Sequence, residues 1–248
     1  MPHIVVGTAG WGIPRSSVDL FGTVGSSLER YAAVFQGVEV NSTFYRIHKD
    51  ATLAHWSAVV PSAFRFAFKA PKAVTHTGHL ACDDIRLEDF MEKVALVGER
   101  LGPILVQLPP SLVFELVSVE RLLQRLRSNI SSNIAFEPRH PSWLEAGPLF
   151  KEYRVARVAA DPPLLGDEFE ARVTEQFGYL RLHGKPKVYY SSYSDDYISQ
   201  LADVLLASKA ALIWCIFDNT ASGAAVQNAL ALKEALGKRS GSSRTIKD

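Results

Sequence analysis

Three pairs of polar residues stand two positions apart within otherwise apolar segments of the sequence. The pairs are Glu39 with Asn41, Glu137 with Arg139, and Arg181 with His183. Side chains two positions apart on a β-strand point to the same side, so each pair presents both of its members together. Carboxylates, guanidinium groups and an imidazole presented in this way suit acid–base catalysis and the binding of an anion.

Other apolar segments also end in polar residues, namely Lys69, Gln107, Asp161, and Asp218 followed by Asn219. Burying so many polar groups is costly unless each one is paired or hydrated, so the pattern favours a polar site. A network of structural salt bridges that fills the interior is the alternative, because such networks bring together the same residue types.

The elements that must position these residues are short apolar segments alternating with segments of helical period. Strands are predicted at 4–7, 37–41, 64–69, 103–108, 133–137, 155–160, 178–183 and 211–217. Eight strands separated by crossovers indicate a parallel sheet, and at 248 residues they favour an α/β fold with a single (β/α)8 TIM-barrel-like domain. The weak helical pattern of residues 164–177 predicts a truncated sixth crossover. Active sites of such barrels lie at the C-terminal ends of the strands.

Helix starts are predicted from capping residues. Ser26 and Glu29 form a capping box ahead of Leu28, Tyr31, Ala32 and Phe35, which share one helix face. Further helices are predicted to start at Asp50, Asp84, Ser118 and Ser222. The domain is predicted to span residues 1–236, and residues 237–248, which are polar and lack periodicity, are predicted to be a disordered tail.

The composition excludes several classes of protein. The chain has 27 Lys and Arg against 26 Asp and Glu, a net charge of +1, so it lacks the overall basic character typical of nucleic-acid and anionic-membrane binders. The two cysteines, Cys82 and Cys215, exclude a disulfide framework and fit a reducing compartment. The N-terminus lacks the basic region of a signal peptide, and the apolar run 210–217 is too short to span a bilayer. We therefore expect a cytoplasmic protein without a membrane partner; the sequence indicates no oligomeric state.

The expected catalytic groups are Glu39, Lys69, Glu137, Asp161 and His183. In this interpretation Glu137 or Asp161 is a base and His183 an acid or base. Lys69 suits anion binding better than Schiff-base formation, because nearby carboxylates favour its charged form.

Substrate contacts are expected from Trp11, Asn41, Tyr45, Arg46, Gln107, Arg139, Arg181 and Asn219. Guanidinium groups bind phosphate or carboxylate through paired hydrogen bonds, and aromatic rings can stack on a sugar or base. Gly184 and residues 220–223 follow the last two strands, where barrels often bind phosphate at a helix N-terminus.

A divalent metal ion is an alternative cofactor. Glu137, Asp161, His183 and Asp218 are ligand types used by Mn, Mg and Zn. No compact metal-binding motif accompanies them, so the sequence assigns neither a metal nor another cofactor.

Several segments together resemble the YecE-like family (domain of unknown function 72). The matching segments are 7–11, 38–46, 66–71, 101–110, 137–143, 179–184 and 217–220, in the family's order, within residues 4–236. The resemblance implies a TIM-barrel-like fold and supplies no reaction. The sequence departs from the family's usual pattern at Ala9, His48 and Asp218, where Ser, Pro and Asn are usual.

These observations predict an enzyme that acts on a small polar, anionic substrate, phosphorylated or derived from a sugar or nucleotide. The chemistry is acid–base or metal-assisted, and hydrolysis, isomerisation and lyase reactions all remain open. The alternative is a non-catalytic module that binds a small ligand or a nucleic acid at the same cationic mouth.

Overall fold

Nine parallel strands surround the interior of the computed structural model, which describes residues 1–77, 80, 84–165 and 176–242. The strands are β1 (His3–Thr8), β2 (Gly37–Val40), β3 (Arg65–Lys69), β4 (Leu101–Gln107), β5 (Ile134–Glu137), β6 (Val155–Arg157), β7 (Ala159–Asp161), β8 (Phe177–Leu182) and β9 (Leu212–Phe217). The α-helices are α1 (Ser27–Val34), α2 (Asp50–Val59), α3 (Asp84–Ala95), α4 (Leu116–Asn129), α5 (Gly147–Glu152), α6 (Asp195–Ala207) and α7 (Ala224–Ser242).

The strands form two parallel sheets, ordered β2-β3-β4-β5-β6 and β1-β9-β8-β7. The predicted sixth strand is divided into β6 and β7 at Val158, whose N–H donates to the Phe136 carbonyl at 2.7 Å. At the other seam Ala9 bridges Glu39 in parallel, and the Gly10 N–H donates to the Glu39 carbonyl at 2.8 Å. With β6 and β7 counted as one divided strand, eight strands therefore follow one another around a barrel. The predicted α/β, TIM-barrel-like fold is confirmed.

Glycines allow the close approach of β1 and β2 at this second seam. A Cβ atom on Gly7 would lie 2.3 Å from the Gly37 carbonyl oxygen, and one on Gly37 would lie 2.5 Å from Cγ1 of Val5. Both distances are shorter than any tolerable contact, so any larger residue would push the two strands apart.

The barrel interior changes from apolar to polar along the strands. Phe177, near the start of β8, packs in an interior cluster with Val5 and Trp214. Alternate residues along β8 share one face, so Tyr179, Arg181 and His183 continue from this cluster towards the C-terminal end. This apolar layer supports the polar site from below.

The capping box of α1 is confirmed. The Ser26 N–H donates to the Glu29 carboxylate at 2.7 Å, and the Glu29 N–H donates to the Ser26 hydroxyl at 3.3 Å. Leu28, Tyr31 and Ala32 are buried on one face of the helix, as their spacing predicts.

Two other predicted caps are wrong. Helix α2 begins at Asp50 as predicted, but its N-cap residue is Lys49, and the Asp50 carboxylate pairs with Lys93 of α3 at 2.6 Å. Helix α4 begins at Leu116, because the Glu115 carboxylate accepts hydrogen bonds from the N–H groups of Val117 and Ser118 at 3.0 and 2.7 Å. Ser118 thus lies inside the first turn.

Helix α7 begins at Ala224, two residues after the predicted start, and continues to Ser242. The helix thus continues six residues beyond the predicted domain boundary at residue 236. Arg239 explains the extension, since its guanidinium pairs with Asp203 and bonds to Ser199 of α6. Residues 243–248, Cys82 and most of the predicted truncated crossover lie outside the described residues. Among the described helices, none combines the length and apolar character that crossing a bilayer requires.

Candidate active site at the C-terminal ends of the strands

Arg181 of β8 is the centre of a buried ionic network. Its guanidinium donates to both carboxylate oxygens of Glu39 at 2.8 and 3.0 Å, to Glu137 at 2.6 Å and to Asp218 at 2.9 Å. Its side chain is 1% exposed. Burial opposes the charge of Arg181, but these three carboxylates outweigh it and raise the arginine pKa well above its usual range. The network therefore holds a permanent cation at the end of the barrel interior.

Glu137 at the end of β5 connects this network to two further side chains. Its second oxygen accepts hydrogen bonds from Gln107 at 3.1 Å and from Arg139 at 2.7 and 3.1 Å. Burial raises the pKa of the Glu137 carboxyl, but the charges of Arg181 and Arg139 and the hydrogen bond from Arg181 oppose this effect, and the pKa lies well below the usual range. Glu137 is consequently a weak base that stays ionised.

His183 lies beside the network with one ring nitrogen bonded and the other free. Its Nδ1 is 3.0 Å from an Asp218 oxygen, and its Nε2 is 3.8 Å from the nearest Glu137 oxygen. The ring is buried, and Nε2 has no hydrogen-bond partner among the described residues. Buried polar nitrogens are rarely left unpaired, so this atom is a prominent exception.

Tyr179 is a member of the network that the sequence analysis did not include. Its hydroxyl donates to Glu39 at 2.8 Å, and its ring stacks on Trp214 with centroids 6.2 Å apart. The signal in the sequence is its position two residues before Arg181, which places it on the same face of β8. An aromatic residue inside a strand otherwise reads as ordinary core.

Lys69 and His76 lie at the half-buried edge of the network. The Lys69 ammonium is 4.3 Å from the centre of the Phe44 ring, and His76 packs edge-on against the same ring at 4.9 Å. Burial and the Arg181 charge lower the pKa of Lys69, while Glu39, Glu137 and Asp218 oppose this shift. Burial, with the charges of Lys69, Arg139 and Lys72, lowers the pKa of His76 to about 4.

Asp161 makes a separate set of contacts. Its carboxylate accepts a hydrogen bond from Lys185 at 3.1 Å, and its backbone carbonyl accepts from the Tyr193 hydroxyl at 3.0 Å. The described residues contain no group of three or more His, Cys, Asp or Glu side chains placed to hold a metal ion. Of the four candidate metal ligands, Glu137, His183 and Asp218 lie together around Arg181, whereas Asp161 pairs with Lys185, and their role as metal ligands stays a prediction.

The remaining predicted contacts are spread around the barrel mouth. Asn41 is half-buried, and its side-chain oxygen lacks a partner among the described residues. Asn219 is buried and donates to the Ser191 carbonyl and to Asn228, which ties the loop before α6 to α7. Trp11 packs edge-on against Trp56 at 4.9 Å, and its predicted role in stacking on a substrate stays a prediction.

Two cavities open beside these residues. One, of about 380 Å³, is lined by Phe44, Tyr45, Arg46, Lys72 and Arg86, among others. The second, of about 400 Å³, lies between the loops after β1 and β9, and Thr220, Ser222 and Gly223 are part of its lining. Phosphate binding, predicted at residues 220–223, stays a prediction.

Comparisons with known proteins identify relatives of the whole fold. Residues 5–247 match the family described as "Protein of unknown function DUF72". The UPF0759 protein YecE of Escherichia coli (strain K12) is 32% identical over 139 residues, which are 55% of this chain and 50% of that protein. The matched region thus spans about half the length of this curated relative.

Solved structures support the same relationship. A DUF72 family protein of Enterococcus faecalis V583 superposes with a TM-score of 0.81 at 23% identity, covering 94% of this chain and 95% of that one. One from Thermotoga maritima MSB8 gives 0.78 at 26% identity, covering 95% and 99%. A D-psicose 3-epimerase gives 0.53 at 12% identity, covering 96% and 98%, a likeness of fold alone.

Proposed function

We propose a function from the site itself, because this chain belongs to the DUF72 family, whose members have no established function. The proposal is an enzyme that carries out acid–base chemistry on a small anionic substrate at the C-terminal ends of the strands. His183 is the acid–base group, and Lys69 and Arg139 bind the substrate anion.

The buried, unpaired Nε2 of His183 carries the proposal. An ionised carboxylate only accepts hydrogen bonds, so Nδ1 carries the proton that lies between His183 and Asp218. In the neutral imidazole Nε2 then holds a lone pair, available to take a proton from a substrate. Asp218 fixes both the tautomer and the ring orientation, and the Arg181 charge lowers the pKa of Asp218 against the effect of burial.

Glu39 and Glu137 act as positioning residues in this proposal. Both are paired with Arg181, and Glu137 is also paired with Arg139. A carboxylate bonded to two guanidinium groups is a poor proton acceptor at neutral pH, so the base is assigned to His183. Fixed pairs of this kind keep the reacting groups in place without reorganisation during the reaction.

The distribution of charge supports an anionic substrate. Glu39, Glu137 and Asp218 are buried, whereas Lys69 and Arg139 are half-buried at the edge of the network. A substrate that approaches from the barrel mouth thus meets two cations before any carboxylate. Guanidinium and ammonium groups in such a position bind phosphate or carboxylate through charge-assisted hydrogen bonds.

The test is a turnover assay on a panel of phosphorylated and carboxylated sugars and small acids, followed by ³¹P and ¹H NMR. The wild type is expected to convert at least one compound, and His183→Gln is expected to lose about 10²–10⁴-fold in rate. His55→Gln, on the exposed surface of α2, is the matched control with unchanged rate. Full activity of His183→Gln would contradict the proposal, whereas binding without turnover would favour the non-catalytic alternative.

A further inference from the structure

We propose that the cavity between the loop after β2 and the turn after β3 binds a phosphate monoester group of the substrate, away from His183. The inference deepens the proposed function, and its statement about the substrate rests on that function. It assigns the phosphate as an anchor that stays intact while another part of the molecule reacts.

Among the described residues that line the cavity, basic side chains are present and acidic ones are absent. Arg46, Lys72 and Arg86 line it together with Thr43 and Thr77, and its volume of about 380 Å³ is within the range of small-ligand sites. Neither Arg46 nor Lys72 forms an ion pair in the part of the chain that the structure describes. A dianion would complement this lining.

Other cations on the surface provide a contrast. Lys93 pairs with Asp50, Arg125 with Glu88, and Arg239 with Asp203. Asp50 follows Arg46 by four residues, yet its carboxylate pairs with Lys93 rather than with a cation of the cavity. The charges of Arg46 and Lys72 are therefore not compensated by a carboxylate of the described residues, although Asp50 stands close to Arg46 in the sequence.

Two histidines, His48 and His76, are chain neighbours of the lining residues Ile47 and Thr77, and nearby cations act on both. Burial together with the Lys69, Arg139 and Lys72 charges lowers the pKa of His76, and burial together with the Arg46 charge lowers the pKa of His48. The two rings lie on different loops, one after β2 and one after β3. The cationic field thus extends across the cavity.

Phe44 connects the cavity to the active site. It contributes to the cavity lining, and the same ring lies under the Lys69 ammonium. The neighbouring Thr43 hydroxyl bonds to the carbonyls of Val40 and Lys69, at 2.9 and 2.7 Å, which fixes this segment against the barrel. A substrate with its reacting end at Lys69 and His183 can therefore extend past Phe44 and place its phosphate in the cavity.

The binding test titrates inorganic phosphate into the full chain and follows His76 by NMR. Phosphate is expected to raise the pKa of His76 above its value of about 4, because an anion in the cavity offsets the cations. Arg46→Ala and Lys72→Ala are each expected to weaken phosphate binding about tenfold, the loss of one charge-assisted contact. Lys151→Ala and Arg121→Ala, exposed on other faces, are matched controls with unchanged affinity.

Three outcomes would overturn the inference. The first is equal phosphate affinity in the cavity variants and the controls. The second is binding of oligonucleotides alone, with a steep dependence on salt, which would make the ligand a nucleic-acid phosphodiester. The third is release of phosphate from the substrate during turnover, because the anchor is proposed to stay intact.

The same variants separate this inference from the proposed function. His183→Gln is expected to bind phosphate with wild-type affinity and to lose turnover, whereas Lys72→Ala should raise KM with little change in kcat. An unchanged KM in Lys72→Ala, with turnover still dependent on His183, would refute the anchor and leave the proposed function standing. If the cavity binds phosphate as expected but His183→Gln keeps full activity, the catalytic role of His183 alone is refuted.

Discussion

Two cationic regions at the same end of the barrel differ in how their charges are compensated. Arg181 is 1% exposed and is bonded to three carboxylates from three other strand ends. Arg46 and Lys72 lie on an open cavity, and no carboxylate of the described residues lines it. Charge that the fold neutralises itself fixes geometry, whereas charge that it leaves unneutralised is available to a ligand. In our proposals the first region orients the catalytic groups and the second selects the substrate.

The comparison predicts its largest effect for Arg181→Leu. Removing this guanidinium leaves Glu39, Glu137 and Asp218 buried without their common partner, which is expected to cost about 3–5 kcal/mol of unfolding free energy. Chemical denaturation of the wild type and the variant measures the difference. A variant as stable as the wild type would show that the three carboxylates do not depend on Arg181.

A smaller effect is expected for Tyr179→Phe. The change removes a hydrogen bond to the ionised Glu39 and keeps the ring that stacks on Trp214, so about 1.5–3 kcal/mol of stability should be lost. Tyr193→Phe, which removes a hydroxyl bonded to backbone groups at Gly184 and Asp161, is a control for losing a buried phenol outside the network. Its expected loss is about 0.5–1.5 kcal/mol. Equal losses of stability in Tyr179→Phe and Tyr193→Phe would show that the charge of Glu39 does not strengthen the hydrogen bond from Tyr179.

A modest pH effect is expected from His76. Its pKa is about 4 in the folded chain and about 6.5 when unfolded, so the unfolded state binds more protons between these values. Stability is therefore complete above about pH 6.5 and falls as the pH is lowered towards 4. His76→Gln should flatten the stability profile in this window, as urea unfolding at several pH values can show. An equal dependence of the unfolding free energy on pH in the wild type and in His76→Gln would show that another group titrates in this window.

The smallest effect on stability is expected from the double variant of Arg46→Ala and Lys72→Ala. Neither side chain forms an ion pair within the described residues, so the change in unfolding free energy should stay within about 0.5 kcal/mol. The variant should nevertheless raise the pKa of His76, because one of the charges that repel its proton is gone. A large loss of stability would show that Arg46 and Lys72, like the Arg181 network, stabilise the fold.

Much of the fold can be predicted from the sequence because the strands are buried on both faces and read as apolar runs. The division of the sixth strand at Val158 cannot be predicted in this way, since it depends on which neighbouring strand each half pairs with. Glu115 was missed as a cap because Ser118 is the more usual capping residue, and the final helix is extended by the contact of Arg239 with Asp203 on another helix.

Most members of the network were predictable from the sequence, Tyr179 being the exception, but their pairings were not. Period two identifies Glu39, Glu137, Arg181 and His183 as strand-end residues, but the bond between Glu39 and Arg181 joins positions 142 residues apart. That bond exists because the barrel brings β2 and β8 around one interior. The barrel likewise brings Glu137 and Asp218 to Arg181 with His183 beside them, whereas Asp161 pairs with Lys185, groupings that spacing alone cannot reveal.

The protonation of His183 tests the central claim most directly. In ¹⁵N-labelled protein at pH 8, heteronuclear NMR of the ring is expected to show a protonated Nδ1 and an unprotonated Nε2. Asp218→Leu should remove this preference, because its carboxylate sets the tautomer. A protonated Nε2 with a bare Nδ1 in the wild type would contradict the account, since the nitrogen to which we assign proton transfer would then be unable to accept a proton.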